Sequence, residues 1–409
     1  MFKDTPSICI PIFKNNTKHS SEMDVVGMYF YFVGGKTEYI NFSHPDKISS
    51  GLHLSDIVLH PKSIVLNKKA LVYSQFNYGL DLNSYLQYYI DDTIKVDDFY
   101  PKALEHFYSR LYGHSSVSTI IPLSKLIEYA ENIILFTLPY WKPDLISDKC
   151  VQYCDDFMSV FYQIEKQNVP VGDTSKKQNY MWFTATSRPS NAWDNFNFSA
   201  LNKNDGTRNS IHSSFDGGKI VQFDYDAFHI KILAKILGYT FEKHPYEQIK
   251  EELSLDIPYD EVKSMVFQNM YGTITPEFMN HSFFLQVQAT IDELYENYQK
   301  NGYIESWFYN KRFREIDTPT PNKVFNYFLQ SLETEYNVKK IQTIFGSMSN
   351  MKSKLMMYLY DAFIFDMHPD EMDKIPNLIK AFETDGMSVK VSTGDNFGNL
   401  KPYLYVSNH

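Results

Sequence analysis

Two apolar segments, each carrying a carboxylate at a turn, constrain this chain more tightly than its bulk composition does. Residues 220–225 read as a strand. Phe228, Ile230, Ile232, Leu233, Ile236 and Leu237 then follow at helical spacing, with Gly238 as a C-cap. Asp224 therefore sits at the end of a strand, just before a helix. A charge beside apolar neighbours is costly there unless it meets something positive. The second segment is 355–366, where apolar runs flank Asp361 on both sides, as in a hairpin with one acid at its turn. Taken singly, either aspartate could merely cap a turn. Together they suit a divalent ion, since hard Mg²⁺ takes oxygen ligands and keeps substrate phosphates in its shell.

Composition excludes several classes. With 43% apolar and 16% aromatic residues among 409, the chain can bury a real core, so it is neither disordered nor fibrous. Lys and Arg number 39 against 49 Asp and Glu, a formal net charge of −10. Without a global basic field, any contact with nucleic acid needs a local patch. Cys9, Cys150 and Cys154 cannot form a disulfide framework, and they read as thiols in a reducing cytosol. The N-terminus lacks a secretory run, and no apolar stretch approaches the ~20 residues of a membrane span. A soluble, cytoplasmic protein without membrane contact is expected. Only five basic residues are arginine: Arg110, Arg188, Arg208, Arg312 and Arg314. Where lysine is the default cation, an arginine is a candidate for a task needing a planar, bidentate donor; Arg110 reads equally well as a surface residue. The excess of Lys, Asn, Tyr, Phe and Ile suggests an AT-rich genome.

Along the chain, residues 1–100 look mixed. The run 25–33 is strand-like, Gly34 and Gly35 signal a hairpin, and 37–40 is the return strand. Residues 55–73 are expected to supply further strand pieces. Residues 101–170 turn helical, with apolar spacing at 123–130 and 157–161. A polar stretch at 170–180 is the expected boundary. Beyond it, short strands alternate with long helices.

Further motifs then resemble, in order, those of the family A DNA polymerases. Thr184-Ala-Thr-Ser-Arg188-Pro-Ser-Asn191 is similar to the family's Thr-x-Thr-Gly-Arg-x-Ser segment and continues through Asn195 and Asn197 to Arg208 and Phe215. Lys263, Phe267, Tyr271 and Gly272 match its fingers helix. The stretch from Gly302 to Arg312 resembles a Gly-Tyr-Val-Glu hairpin, and Asn326 with Gln330 resembles an Asn-x-x-x-Gln helix. The resemblance covers roughly 180–409.

It implies an α+β right-hand polymerase, with an antiparallel palm and helical fingers over 179–409, the fingers at about 240–300. Asp224 and Asp361, with the Tyr225 carbonyl, would hold two Mg²⁺ ions, Mn²⁺ being a possible substitute, in a two-metal phosphoryl transfer. Lys263 would meet the α-phosphate, Phe267 the sugar, and Tyr271 the templating position; the three share one helix face. An ordinary buried stripe of Val262, Met265, Val266 and Met270 accounts for the same helix, and both readings can hold. Arg188, Asn195, Asn326 and Gln330 would read the primer-template minor groove, where acceptors occur in every base pair. Asn197, Arg208, Arg312 and Tyr360 join the expected DNA-binding set. Partners would be primer-template DNA and dNTPs, in phage replication inside a bacterial host.

Departures from the pattern bear on mechanism. Tyr259 stands where the family has a triphosphate-binding Arg, and His229 where it has a Glu that crowds the ribose 2′-position. Sugar choice is therefore open. Ser187 replaces a Gly, Asn322 an Arg, and Tyr360-Asp361-Ala362 a His-Asp-Glu. His244 or Lys243 could replace the lost triphosphate contact.

Residues 1–100 resemble the family's 3′–5′ exonuclease domain in reduced α/β form. The stretch 24–44 is similar to its early hairpin, and 76–81 to its Asn-x-x-x-Asp motif. The preceding Asp-x-Glu is absent, with Pro11 to Lys14 in about its place, and Tyr129 is followed four later by Ile133 rather than Asp. Asp81 alone cannot run two-metal chemistry, so a non-catalytic relic without proofreading is expected. Only a dozen residues separate Val171 from the Thr184 motif, where the family inserts a thumb. Either the thumb is missing or the 101–178 connector substitutes, which implies weak processivity or a partner that supplies the grip. Two other readings remain open: an RNA polymerase or reverse transcriptase on a related palm, and an inactive DNA-binding subunit of a replisome.

Overall fold

The computed structural model describes residues 2–13, 19–89, 122–202, 204–314 and 316–403. Residues 101–121 of the expected helical connector, including Arg110, and Lys14 lie outside them. The chain divides into two compact units, Met1–Tyr162 and Gln163–His409; the division falls in the last turn of a helix.

The first unit is built on a mixed sheet of order β3-β2-β1-β4-β5. Strands β1 (Ser7–Phe13), β2 (Val25–Phe32) and β3 (Thr37–Asn41) form an antiparallel meander. Gly34 and Gly35, at φ of 98° and 90°, make the β2–β3 turn in a region that only glycine enters freely. The short β4 (Ile64–Val65) then runs parallel to β1. Helix α1 (Lys68–Tyr73) follows, then β5 (Leu80–Asp81), parallel to β4, and helix α2 (Leu82–Tyr89). The expected strands over 55–73 are thus corrected: only two of those residues are strand, and 68–73 is helix. A short apolar run does not distinguish the two by periodicity alone, and here Lys68, Ala70 and Leu71 are buried at helical spacing. Met28, Phe30, Val65 and Leu71 meet in one core. Helices α3 (Leu123–Thr137) and α4 (Asp148–Glu165) carry the apolar spacings noted at 123–130 and 157–161.

The second unit opens with small antiparallel pieces. These are β6 (Val169–Val171) with β7 (Thr174–Lys176), then β8 (Tyr180–Met181), β9 (Ser190–Trp193) and β10 (Phe196–Asn197). The central sheet has the order β14-β15-β11-β16-β17 and is antiparallel throughout. Its middle strand β11 (Lys219–Tyr225) leads into helix α5 (Phe228–Leu237), which Gly238 ends in the left-handed conformation at φ 66°. Helices α6 (Pro245–Glu252), α7 (Tyr259–Tyr271) and α8 (Ser282–Asn301) follow. A hairpin of β12 (Ile304–Glu305) and β13 (Arg312–Phe313) leads to the 27-residue helix α9 (Pro321–Ser347). The hairpin of β14 (Lys354–Leu359) and β15 (Ala362–Met367), helix α10 (Ile375–Glu383), β16 (Val389–Gly394) and β17 (Lys401–Pro402) complete the unit. No described helix is long and apolar enough to cross a membrane.

Candidate active site

Asp224 is the penultimate residue of β11, and its direct partner on β15 is Ala362. Asp361 precedes that partner in the two-residue turn of the β14–β15 hairpin, and its carbonyl accepts the Tyr225 N–H at 3.3 Å. The two carboxylates expected to act together therefore lie at the same end of neighbouring strands. Asp224 accepts a hydrogen bond from Gln222 Nε2 at 2.9 Å. Asp361 stays open to solvent at the hairpin tip, yet protein packed around its carboxyl and the nearby Glu333 push its pKa above the usual range, against His229 and Arg188.

Both carboxylates are flanked by strained backbone. Ala227, before α5, has φ 53°, and Tyr360, in the hairpin turn, has φ 62°. A left-handed residue other than glycine costs about 1 kcal/mol or more, so the surroundings must hold it. The Tyr360 carbonyl accepts from Asn337 Nδ2 at 2.8 Å, and the Arg188 guanidinium lies over the Tyr360 ring at 3.8 Å.

Helix α9 organises these parts. Asn326, Gln330, Glu333 and Asn337 are spaced by four, three and four, so they form one stripe along the helix. Each reaches a different element. Asn326 Nδ2 donates to the Tyr271 carbonyl at the end of α7, 3.2 Å away. Gln330 accepts from Thr186 Oγ1 at 3.3 Å. Glu333, 1% exposed, lies 3.0 Å from His229 Nε2 and 3.5 Å from the Arg188 guanidinium. Asn337 holds the β14–β15 hairpin through the Tyr360 carbonyl and the Tyr358 hydroxyl. His229 in turn meets the Tyr271 hydroxyl through Nδ1 at 3.0 Å. Burial foremost, and then Glu333, hold the Tyr271 hydroxyl well above the ordinary tyrosine range.

Helix α7 sorts its residues largely as its sequence suggests. Val262, Val266 and Met270 are buried as expected, but Met265 of the expected stripe is only half-buried, and Asn269 is buried in addition; Lys263 is exposed, and Phe267 and Tyr271 are half-buried. The Phe267 and Tyr271 rings are stacked, 6.1 Å apart and 5° from parallel. The Tyr225 ring is buried, stacked on Phe228 at 4.6 Å.

Not every expected residue joins this cluster. Arg208 donates twice to the Leu201 carbonyl, at 3.2 and 3.0 Å, and covers the Phe397 ring. Arg312 pairs with Glu305 across the β12–β13 hairpin at 2.9 Å and lies over Tyr303. Asn195 sits exposed in the β9–β10 turn, and Asn197 caps the turn after β10 by accepting from the Ser199 N–H. Sequence reasoning missed Glu333 and Asn337. The sequence carries no local signal for them, because polar residues such as Ser331 and Glu335 stand on the other faces of the same helix.

In the first unit Asp81, 2% exposed, accepts from the N–H and hydroxyl of Ser84 and so caps α2.

Asp224 and Asp361 place two carboxylates at the same end of neighbouring strands. That donor set fits a hard divalent cation.

No protein-family model matches the chain, and no curated protein sequence matches it. Among solved structures, the chain is similar to the polymerase domain of Pol1 from M. smegmatis, described in complex with DNA primer-template and dNTP. The TM-score is 0.60 and the identity 11%, over 96% of each chain. The fold is thus an α+β polymerase-domain fold.

Proposed function

We propose that this protein is a template-directed DNA polymerase that adds dNTPs to a primer 3′-hydroxyl. The observation that carries this reading is the carboxylate pair at one end of β11 and the β14–β15 hairpin, framed by the α9 stripe and the Lys263 face of α7. Asp224 and Asp361, with the Tyr225 carbonyl, would hold Mg²⁺. Bound there, the ions would make the primer hydroxyl easier to deprotonate and offset the charge of the triphosphate and of the leaving pyrophosphate. Lys263 offers an ammonium to the α-phosphate, and Phe267 and Tyr271 a stacked aromatic wall for sugar and base. Arg188 and Asn326 face the duplex. Arg188 Nε and Asn326 Oδ1 are buried without a hydrogen-bond partner, as is common where a ligand or ordered water completes the set.

His229 bears on sugar choice, because it contacts the Tyr271 hydroxyl where the nucleotide would enter. The first unit is proposed to take no part in chemistry, since Asp81 is engaged in capping. Magnesium dependence, the family A assignment, a phage origin and a processivity partner belong to the same proposal.

The test is extension of a labelled DNA primer with each dNTP supplied singly. Addition of only the templated nucleotide supports the reading. Preferential use of ribonucleotides, or of an RNA template, would replace it with an RNA polymerase or reverse transcriptase. Primer-template binding with no extension under Mg²⁺ or Mn²⁺ would leave a DNA-binding subunit.

A further inference from the structure

The central sheet sets three charged residues on three neighbouring strands. Asp361 is at the β15 end, Asp224 is on β11, and Lys390 is the direct partner of Asp224 on β16. Directly opposed residues of an antiparallel pair project from the same face. Lys390 therefore leaves the sheet on the face of Asp224, one strand spacing of about 4.8 Å away, on the side remote from Asp361.

Asp226, two residues beyond Asp224, gathers cations. Lys390 Nζ lies 2.6 Å from its Oδ1, while His244 Nε2 and Lys231 Nζ lie 2.6 and 3.6 Å from its Oδ2. The Asp226 carboxylate thus faces two ammonium groups and an imidazole, with Asp224 the further acid near Lys390 and Glu383 the further acid near Lys231. The Lys390 side chain is 69% exposed, so its ammonium is accessible to solvent next to Asp224. Across the site, α7 brings a single cation, Lys263, with Tyr259, Asp260 and Glu261 in its first turn. A nucleoside triphosphate carries about four negative charges near neutral pH, since each phosphate ionises. It needs more positive charge than Lys263 provides.

We propose that Lys390, backed by Lys231, receives the β- and γ-phosphates of the incoming nucleotide and the pyrophosphate product, on the side of Asp224 away from Asp361. Asp226 holds the lysines in place until phosphate oxygens displace it. The inference rests on the polymerase reading and adds the residues that grip the triphosphate tail.

The test is equilibrium binding of the templated dNTP, and of inorganic pyrophosphate, to the full chain on a dideoxy-terminated primer-template. Wild type, Lys390→Ala, Lys390→Arg and Asp226→Asn are compared. Lys390→Ala should weaken both ligands about tenfold, the loss of one charged hydrogen bond, with primer-template affinity unchanged. Lys390→Arg should retain most of the affinity. Asp226→Asn should bind as tightly as wild type or more tightly, because the lysines lose their competitor. If Lys390→Ala binds like wild type, or if Asp226→Asn weakens binding as much as Lys390→Ala does, the lysine serves only the ion pair and the proposal is overturned. If wild type holds primer-template but takes up no dNTP, the polymerase reading falls and this inference falls with it.

Discussion

Glu333 sits in a place closed to water, 3.0 Å from His229 Nε2 and 3.5 Å from the Arg188 guanidinium. Removing one partner of such a buried group strands the others. Glu333→Ala should therefore cost about 3 kcal/mol in urea unfolding, and it should release His229 from its position beside Tyr271. An unfolding free energy within error of wild type would show that the contact carries no such weight. Ser187 offers a second check. It has φ 59°, and its hydroxyl accepts from the buried Lys311 ammonium at 3.2 Å. Ser187→Ala loses the acceptor and keeps the strain, whereas Ser187→Gly loses the acceptor and relieves about 1 kcal/mol of strain. The glycine variant should be the more stable of the two, and the reverse order would sink the strain argument. Asp224 and Asp361 draw notice in the sequence because each interrupts an apolar run at a turn, and the structure sets them at the same end of neighbouring strands. Glu333 does not, because its meaning comes from His229 and Arg188, which are distant in sequence and reach it only in the folded unit.

Helices and strands were legible where periodicity was long. The β11–α5 unit, the β14–β15 hairpin and α7 follow the sequence reading closely. Residues 68–73 do not, because a six-residue apolar helix leaves the same trace as a short strand. Along α9 the polar stripe from Asn326 to Asn337 was only half read: Asn326 and Gln330 match a known motif, but the two residues below them do not. The same helix carries Glu335, fully buried, which accepts from the Phe308 N–H at 2.9 Å. Burial raises its carboxyl pKa to about 7 despite the Ser306 and Phe308 bonds and nearby Lys311. A folded pKa above the unfolded one means the native state binds more protons, so stability is greatest below the unfolded pKa and declines as pH rises toward 7. Glu335→Gln should flatten that decline in urea titrations between about pH 4.5 and 7. An unchanged slope would place the ionisation elsewhere.

At the scale of the whole molecule, a net charge of −10 leaves a small cationic footprint for duplex DNA. Binding should be weak and fall only modestly with salt, because few counterions are released, and log affinity against log salt should have a slope shallower than about −5. A slope near −10 would instead require an extended basic groove. Short products, lengthening as salt is lowered, would follow from the same weak grip.

The most direct measurement of the central claim is single-nucleotide addition to a labelled primer by wild type, Asp224→Ala and Asp361→Ala in Mg²⁺, with primer-template affinity measured alongside. The account predicts addition by wild type only, a loss of at least about a thousandfold in each variant, as expected when an electrostatic element of the transition state is removed, and DNA affinity retained by all three. Addition by either variant at near wild-type rate would contradict it.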